Sequence, residues 1–265
     1  MAAADDKGPA GAPFRKSALR ENFESVILAV LFALFVRTFI AQPYKIPSGS
    51  MEDSLLVGDH LVVNKAAFGS GTSADGPSLL PTREVKRGDV IIFRPPPVPG
   101  ITDETTDYIK RVIGLPGDDL TLVYDPDRDG VRVHVNGSPL PENWRTGHFG
   151  APHLEKGAKW TVTFDGEPPE RRYGWMTRSF HLGADQFLVM GDNRNDSADS
   201  RFWGDAYAVS GERIRGSAWF VYWSYDVGED PPEPKSLVDV IKRYAQIAVT
   251  FPVRSRWQRT LMPIR

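Results

Sequence analysis

A serine hydroxyl becomes a nucleophile when a neighbouring base takes its proton and nearby donors hold the oxyanion that forms. Three stretches of this chain carry residue types suited to that chemistry. In residues 47–65 (PSGSMEDSLLVGDHLVVNK), Ser48 and Ser50 flank Gly49, where the backbone can turn tightly. Taken alone, S-G-S is a weak signal, because such triplets are common in linkers. In residues 108–118 (YIKRVIGLPGD), a strand would put Tyr108, Lys110 and Val112 on one face, and Ile109, Arg111 and Ile113 on the other. Lys110 would then lie between apolar neighbours. Burial disfavours the ammonium and moves a lysine toward the neutral amine that a general base requires. The bland reading of this stretch is a strand lysine whose head reaches water. In residues 190–204 (MGDNRNDSADSRFWG), Asp192, Asp196, Asp199, Arg194 and Arg201 stand beside Ser197 and Ser200. Apolar flanks on both sides predict an ordered, partly buried loop with paired charges, against the alternative of a solvated polar loop.

The elements that must position these residues are short. LVV (61–63), VIIF (90–93), TLVY (121–124), VRVHV (131–135), WTVTF (160–164), QFLVM (186–190) and WFVYW (219–223) read as strands. Gly-Asp pairs at 58–59, 88–89, 117–118 and 191–192 read as turns between them. Residues 68–81 and the proline-rich 94–103 read as loops. The body is therefore expected to be mainly antiparallel β. Asp125, Asp127, Asp129 and Gly130 begin a calcium-loop pattern, but Asn136 stands where its Glu belongs, so a hairpin turn is expected there.

Residues 25–36 (SVILAVLFALFV) carry no charge, and 23–41 are long enough to span a bilayer with Glu24 and Arg37 near the ends. A cleaved signal peptide, a core helix and a surface helix compete with this reading. No small-x-small cleavage site follows, so an uncleaved anchor is expected. Lys7, Arg15, Lys16 and Arg20 precede the span, whereas only Lys45 follows within twenty residues, which favours a cytoplasmic N-terminus and an exported body. Nine residues separate Ala41 from Ser50, and nine extended residues reach about 30 Å. A site at Ser50 would thus lie close to the bilayer. The expected divisions are a cytoplasmic tail (1–22), the anchor (23–41), the exported domain (42–235, with an insert near 121–186) and a basic segment (236–265). SLVDVIKRYAQIAV can be helical, and after Asp239 this segment carries Lys242, Arg243, Arg254, Arg256, Arg259 and Arg265 with no acid. It reads equally as contact with anionic lipid or as a solvated edge.

Composition closes off other classes. The 265 residues carry 32 Lys+Arg against 34 Asp+Glu, too balanced for a dedicated nucleic-acid binder. With no cysteine there is no disulfide scaffold, thiolate metal site or cysteine nucleophile. The five histidines (60, 134, 148, 153 and 181) lack H-E-x-x-H spacing, so metal catalysis is not expected. The 24 glycines and 22 prolines suit a turn-rich fold. Asn136-Gly-Ser and Asn195-Asp-Ser match the glycosylation sequon, which would have no meaning if the chain were bacterial.

The three stretches, in this order behind an anchor, resemble those of bacterial type I signal peptidases, the leader peptidases. The likeness covers residues 43–69, 86–118 and 187–225. It implies a mostly antiparallel β catalytic domain with an inserted smaller β region, and a Ser/Lys protease that cuts signal peptides from exported preproteins without a cofactor. It implies Ser50 as nucleophile, Lys110 as general base, Ser48 with the Ser50 N–H as oxyanion donors, and Ser197 as the hydroxyl orienting the base. Asp199 and Arg201 match a supporting ion pair, and Asp192 is matched to Arg111. Tyr44, Ile46, Met51, Leu55 and Ile109 fall at substrate pockets that accept small residues at the first and third positions before the cut. It implies a bacterial inner-membrane protein whose partners are preproteins, the bilayer and, by proximity, the export translocon.

Asp53 and Ser54 depart from the Pro-Thr usual in that family, and the basic C-terminal segment has no counterpart there. Two other classes stay open on the residues. One is a different Ser/Lys enzyme: a self-cleaving repressor-type protease, disfavoured by the anchor, or a pilus maturation peptidase. The other is a membrane-anchored β module that binds partners without catalysis, disfavoured by the presence of both Ser50 and Lys110.

Overall fold

The computed structural model describes residues 18–52, 54–68, 82–125, 130–142, 177–194, 196–227 and 236–264. The chain divides into two compact units, Met1–Ile40 and Ala41–Arg265.

The first unit is helical. α1 (Ala18–Phe35) is followed by a wider π turn, Val36–Ile40. Its apolar side chains point outward on every side; Phe23, Leu28, Leu31 and Phe32 are all exposed. A helix apolar all round needs an apolar surrounding. Leu19–Ile40, 22 residues, is long and apolar enough to cross a membrane. At 1.5 Å per residue it spans about 33 Å, against a hydrocarbon core of about 30 Å. Near its start Arg20 pairs with Glu24 one turn on, at 2.9 Å. The Ser25 hydroxyl donates to the Glu21 carbonyl at 2.9 Å, so its polarity is met within the helix.

The second unit is mainly antiparallel β. Its strands are β1 (Ala41–Lys45), β2 (Asp59–Asn64), β3 (Val90–Phe93), β4 (Tyr108–Gly114), β5 (Asp119–Asp125), β6 (Gly130–Val135), β7 (Ser138–Pro139), β8 (Thr177–His181), β9 (Gln186–Met190), β10 (Val209–Ser210), β11 (Ile214–Ser224) and β12 (Met262–Pro263). Eight of them form one sheet in the order β1-β2-β11-β3-β4-β9-β10, with β12 pairing β11. Four form a second sheet in the order β7-β6-β5-β8. The smaller sheet draws its strands from the stretch between β4 and β9. The strand reading at 160–164 falls outside the described residues, as do most of the loop at 68–81, Asp53 and Asn195.

Three apolar clusters hold the unit together. One gathers Ile46, Met51, Leu55, Leu61, Val63, Val90, Ile92, Ala218 and Val221. A second joins Ile113 and Leu188 to the smaller sheet through Leu120, Val133 and Phe180. The third packs Ile91, Phe93, Val112 and Val189 on Trp203. The period-2 alternation of β4 is visible here: Tyr108 and Val112 belong to the third cluster, Ile109 to the first.

Three of the four Gly-Asp pairs make turns that need a left-handed residue, with φ of +89° at Gly58, +92° at Gly88 and +83° at Gly117. Asn136 (φ 50°) and Gly137 (φ 79°) turn β6 into β7, the left-handed pair that suits a two-residue hairpin; at the acidic stretch Asp125 pairs with Gly130, and residues 126–129 lie outside those described. β1 contains Pro43 and pairs only with β2, the edge position a strand proline requires.

The C-terminal segment forms α2 (Leu237–Arg254), capped by the Ser236 hydroxyl accepting from the Asp239 N–H at 3.2 Å. It is anchored to the body by Tyr225, whose hydroxyl lies 2.6 Å from Thr250, and by Phe251 against Trp223 and Trp257. The chain then returns through β12 to the large sheet.

Candidate active site

Ser50 sits in a 3-10 turn, Gly49–Met51, between β1 and β2. Met51 has no exposed surface and fastens the turn to the first apolar cluster, so the preceding hydroxyl is presented from a buried anchor. The backbone of the turn is held from across the molecule. The Asn193 N–H donates to the Ser50 carbonyl at 3.2 Å, and Asn193 Nδ2 donates to the Gly49 carbonyl at 3.1 Å.

Lys110 comes from the middle of β4, with Ile91 of β3 opposite it. It is 4% exposed. Its Nζ donates to Ser50 Oγ at 2.6 Å and to the Ile109 carbonyl at 3.1 Å. Burial pulls its pKa down to about 8; the Asp199 carboxylate works against it and the Arg201 guanidinium acts with it. At neutral pH about a tenth of such lysines are neutral, where an ordinary lysine offers fewer than about one in a thousand. A neutral amine at 2.6 Å from a hydroxyl is within reach of its proton.

Ser48 lies on the open side of the turn, with its hydroxyl 3.5 Å from Ser50 Oγ. That leaves a second hydroxyl beside the Ser50 Oγ.

The loop after β9 supplies the charged frame. Asp192 and Arg111 are wholly buried and paired through two hydrogen bonds, Nε to Oδ1 at 2.8 Å and Nη2 to Oδ2 at 2.6 Å. Arg111 also donates to the Gly88 carbonyl at 2.7 Å and to the Ser54 hydroxyl at 3.0 Å. Asp199 accepts from Arg201 at 2.8 Å twice, and from the Gly191 N–H at 2.9 Å. Burial alone would raise the Asp199 carboxyl; the Arg201 guanidinium and these hydrogen bonds outweigh it and hold the group below its ordinary range.

Ser197 is brought to the same place, buried beside Asp199 and against Gly191. Its hydroxyl faces the Asp199 carboxylate and helps hold that group's pKa down, and among the described residues it makes no hydrogen bond to Lys110 Nζ. A Cβ on Gly191 would stand 2.3 Å from Ser197 Oγ and 2.4 Å from the Ser50 carbonyl, so a glycine is required there by close approach. This is why the fourth Gly-Asp pair differs from the other three.

The five expected pocket residues come together. Ile46, Met51 and Leu55 are members of the first cluster, and Tyr44 and Ile109 pack on its edge. The first three are buried, so Tyr44 and Ile109 offer the accessible apolar surface. The Tyr44 hydroxyl donates to Asp107 at 2.8 Å, and burial with that carboxylate beside it raises its pKa above the phenol range.

Sequence reasoning passed over Asn193, Gly191 and Ser54. Asn193 and Gly191 are recognisable only once the loop is seen against the Ser50 turn. Ser54 was seen only as a departure on the motif's rim, yet its hydroxyl is a partner of Arg111. No group of three or more metal-ligating side chains occurs among the described residues.

Residues 19–223 match the family model described as "Signal peptidase, peptidase S26". The chain is 33% identical over 232 residues to a Signal peptidase I of Pseudomonas fluorescens, covering 83% of this chain and 76% of that protein. It is 35% identical over 231 residues to a Signal peptidase I of Leptolyngbya laminosa, covering 85% and 90%. A Signal peptidase I of Aquifex aeolicus is 30% identical over 256 residues, covering 85% and 92%.

Proposed function

This chain belongs to the signal peptidase family, peptidase S26, and from that premise we propose that it is a membrane-anchored serine endopeptidase that removes N-terminal signal peptides from exported preproteins. The observation that carries this reading is the 2.6 Å contact between a buried lysine amine and a serine hydroxyl. Lys110, neutral, takes the proton of Ser50 as Oγ attacks the scissile carbonyl. The Ser48 hydroxyl and the Ser50 N–H receive the oxyanion, each donor contributing on the order of 3 kcal/mol. Lys110 then gives its proton to the leaving amine, and the acyl-enzyme is released when Lys110 activates a water. The Asp199–Arg201 pair, with Ser197 packed beside Asp199, sets the charges that face the lysine; the Arg111–Asp192 pair supports the loop that carries them. No step calls for a cofactor.

The substrate lies extended against Tyr44 and Ile109, over a floor of Ile46, Met51 and Leu55. Small residues at the first and third positions before the cut suit a surface with so little accessible depth. The helix Leu19–Ile40 anchors the enzyme in the bacterial inner membrane, with the N-terminus in the cytoplasm and the catalytic body on the exported side, near the translocon that delivers its substrates. The excess of Lys and Arg before the helix supports that orientation.

The deciding experiment is cleavage of a purified preprotein by the full chain in detergent or lipid. Cuts after a small-x-small site, absent from Ser50→Ala and from Lys110→Ala with both variants folded, are the expected result. Turnover retained in Lys110→Ala would remove the dyad; no cut by folded wild type would remove the substrate class.

A further inference from the structure

Arg259 belongs to the C-terminal segment whose role the sequence left open. It lies on a 3-10 turn, Trp257–Arg259, and reaches back two hundred residues to the stretch between the Ser50 turn and β2. Its Nη2 donates to Asp59 Oδ2 at 2.6 Å and to the Ser54 carbonyl at 2.8 Å, and its Nε lies 3.1 Å from Asp59 Oδ1. Asp59 has no exposed surface and also accepts from the Leu56 N–H at 2.9 Å. Arg256, three residues earlier, donates to the Val57 carbonyl at 3.0 Å. The loop so held carries Ser54, whose hydroxyl takes the hydrogen bond from Arg111, the partner of Asp192. Loop residues Met51 and Leu55 are the fully buried ones beneath Ser50.

We propose that Arg259 is a positioning residue for the reaction: by clamping residues 54–59 from the C-terminal segment, it holds the Ser50 turn in register with Lys110. The inference rests on the Ser/Lys reading above. Two of the six bases of that segment are thereby engaged with the body, Arg256 with Asp226 and Arg259 with Asp59, rather than turned outward.

The clamp acts through Met51 and Leu55. If the loop loosens, the Ser50 turn anchored by those side chains lifts from Lys110 and water reaches the lysine. The groups facing Lys110 are then unchanged in kind: the Asp199, Arg201, Asp192 and Asp196 charges of the opposite loop, the Ile109 carbonyl and Ser50 hydroxyl, and the Tyr108 ring at 5.8 Å. The burial that lowers the lysine is what is lost, so its titration moves up.

The test uses the full chain in detergent, cleaving a preprotein across pH 6.5–10, at a temperature where every variant is folded. For Arg259→Ala and for Asp59→Asn, kcat is expected to fall about ten-fold or more with little change in KM. The acid limb of the rate profile should move to higher pH. Arg259→Lys should recover part of the rate, because a single ammonium reaches Asp59 but cannot also hold the Ser54 carbonyl. The double variant Arg259→Ala/Asp59→Asn should be no worse than the poorer single one. A purely structural arginine would lower the melting temperature and leave the pH midpoint and kcat where they were, and that result overturns the proposal. Absence of cleavage by wild type would instead overturn the functional reading on which it stands. Should Arg259→Ala not fold, Asp59→Asn and Arg259→Lys decide between the same outcomes.

Discussion

Burial sets the working pH of Lys110. Its pKa of about 8 means that the active, neutral form rises as pH passes from 7 to 9. The rate of cleavage by wild type is therefore expected to rise through this range with a midpoint near 8, and a profile flat from pH 6 upward would remove Lys110 as the base. The same burial is a cost to the fold. The unfolded chain keeps the proton to about 10.5, so the penalty is fully present below pH 8 and fades as pH rises from 8 to 10.5. Lys110→Met removes it. Thermal melts at pH 7 should show the variant more stable than wild type, by up to about 3 kcal/mol, with the gain shrinking by pH 10. A variant less stable at pH 7 would show that the Ser50 contact outweighs the desolvation. At the neighbouring hydroxyl, Ser48→Ala is expected to slow turnover by roughly 10²–10³-fold with the fold unchanged. An unchanged rate would take Ser48 out of oxyanion binding.

Positioning is shared among elements far apart in the chain. The Ser50 turn, β4 and the loop after β9 meet because Asn193 hydrogen-bonds the turn's backbone and Arg111 bonds Asp192 and Ser54 together. Gly191 is a point of close approach between the turn and the loop. Gly191→Ala forces its methyl against the Ser50 carbonyl and Ser197 hydroxyl, which must separate. Cleavage is expected to fall by at least ten-fold while strand content by circular dichroism is retained. Normal activity in this variant would mean that turn and loop are free to move apart without consequence. The segment 53–54 also changes meaning at this scale. By sequence it is a departure on the rim; in the fold, the Ser54 hydroxyl joins Asp192 and the Gly88 carbonyl in satisfying a fully buried guanidinium.

For the molecule as a whole, the absence of cysteine makes its orientation directly measurable. A single cysteine placed at exposed Leu19, at the start of the apolar helix, is expected to resist a membrane-impermeant thiol reagent in intact spheroplasts and to react after lysis. A cysteine at Pro116, exposed on the body, should react before lysis. The reverse pattern would invert the proposed topology, and equal labelling of both sites would remove the span. Neither outcome bears on the dyad, which the cleavage assay tests separately.

What the sequence by itself determined was local or periodic. The apolar helix, strands β2, β3, β9 and β11 of the large sheet, the three left-handed Gly-Asp turns and the helical C-terminal segment were legible because each depends on a few adjacent side chains. Ser50 and Lys110 were legible as candidates because their stretches pair a chemically useful group with a local backbone pattern. β1 and β8 were not, since a proline-bearing edge strand and the polar stretch TRSFH carry no strong alternation; pairing with β2 and β5 makes them strands. Only the tertiary structure decided which charges serve which frame. Arg111 reaches Asp192 across 81 residues and Arg259 reaches Asp59 across 200, and nothing in linear spacing selects those partners. The same holds for the lysine: its neighbours in sequence allow burial, but its depressed pKa exists because β3, the Ser50 turn and the 191–199 loop close around it and exclude water.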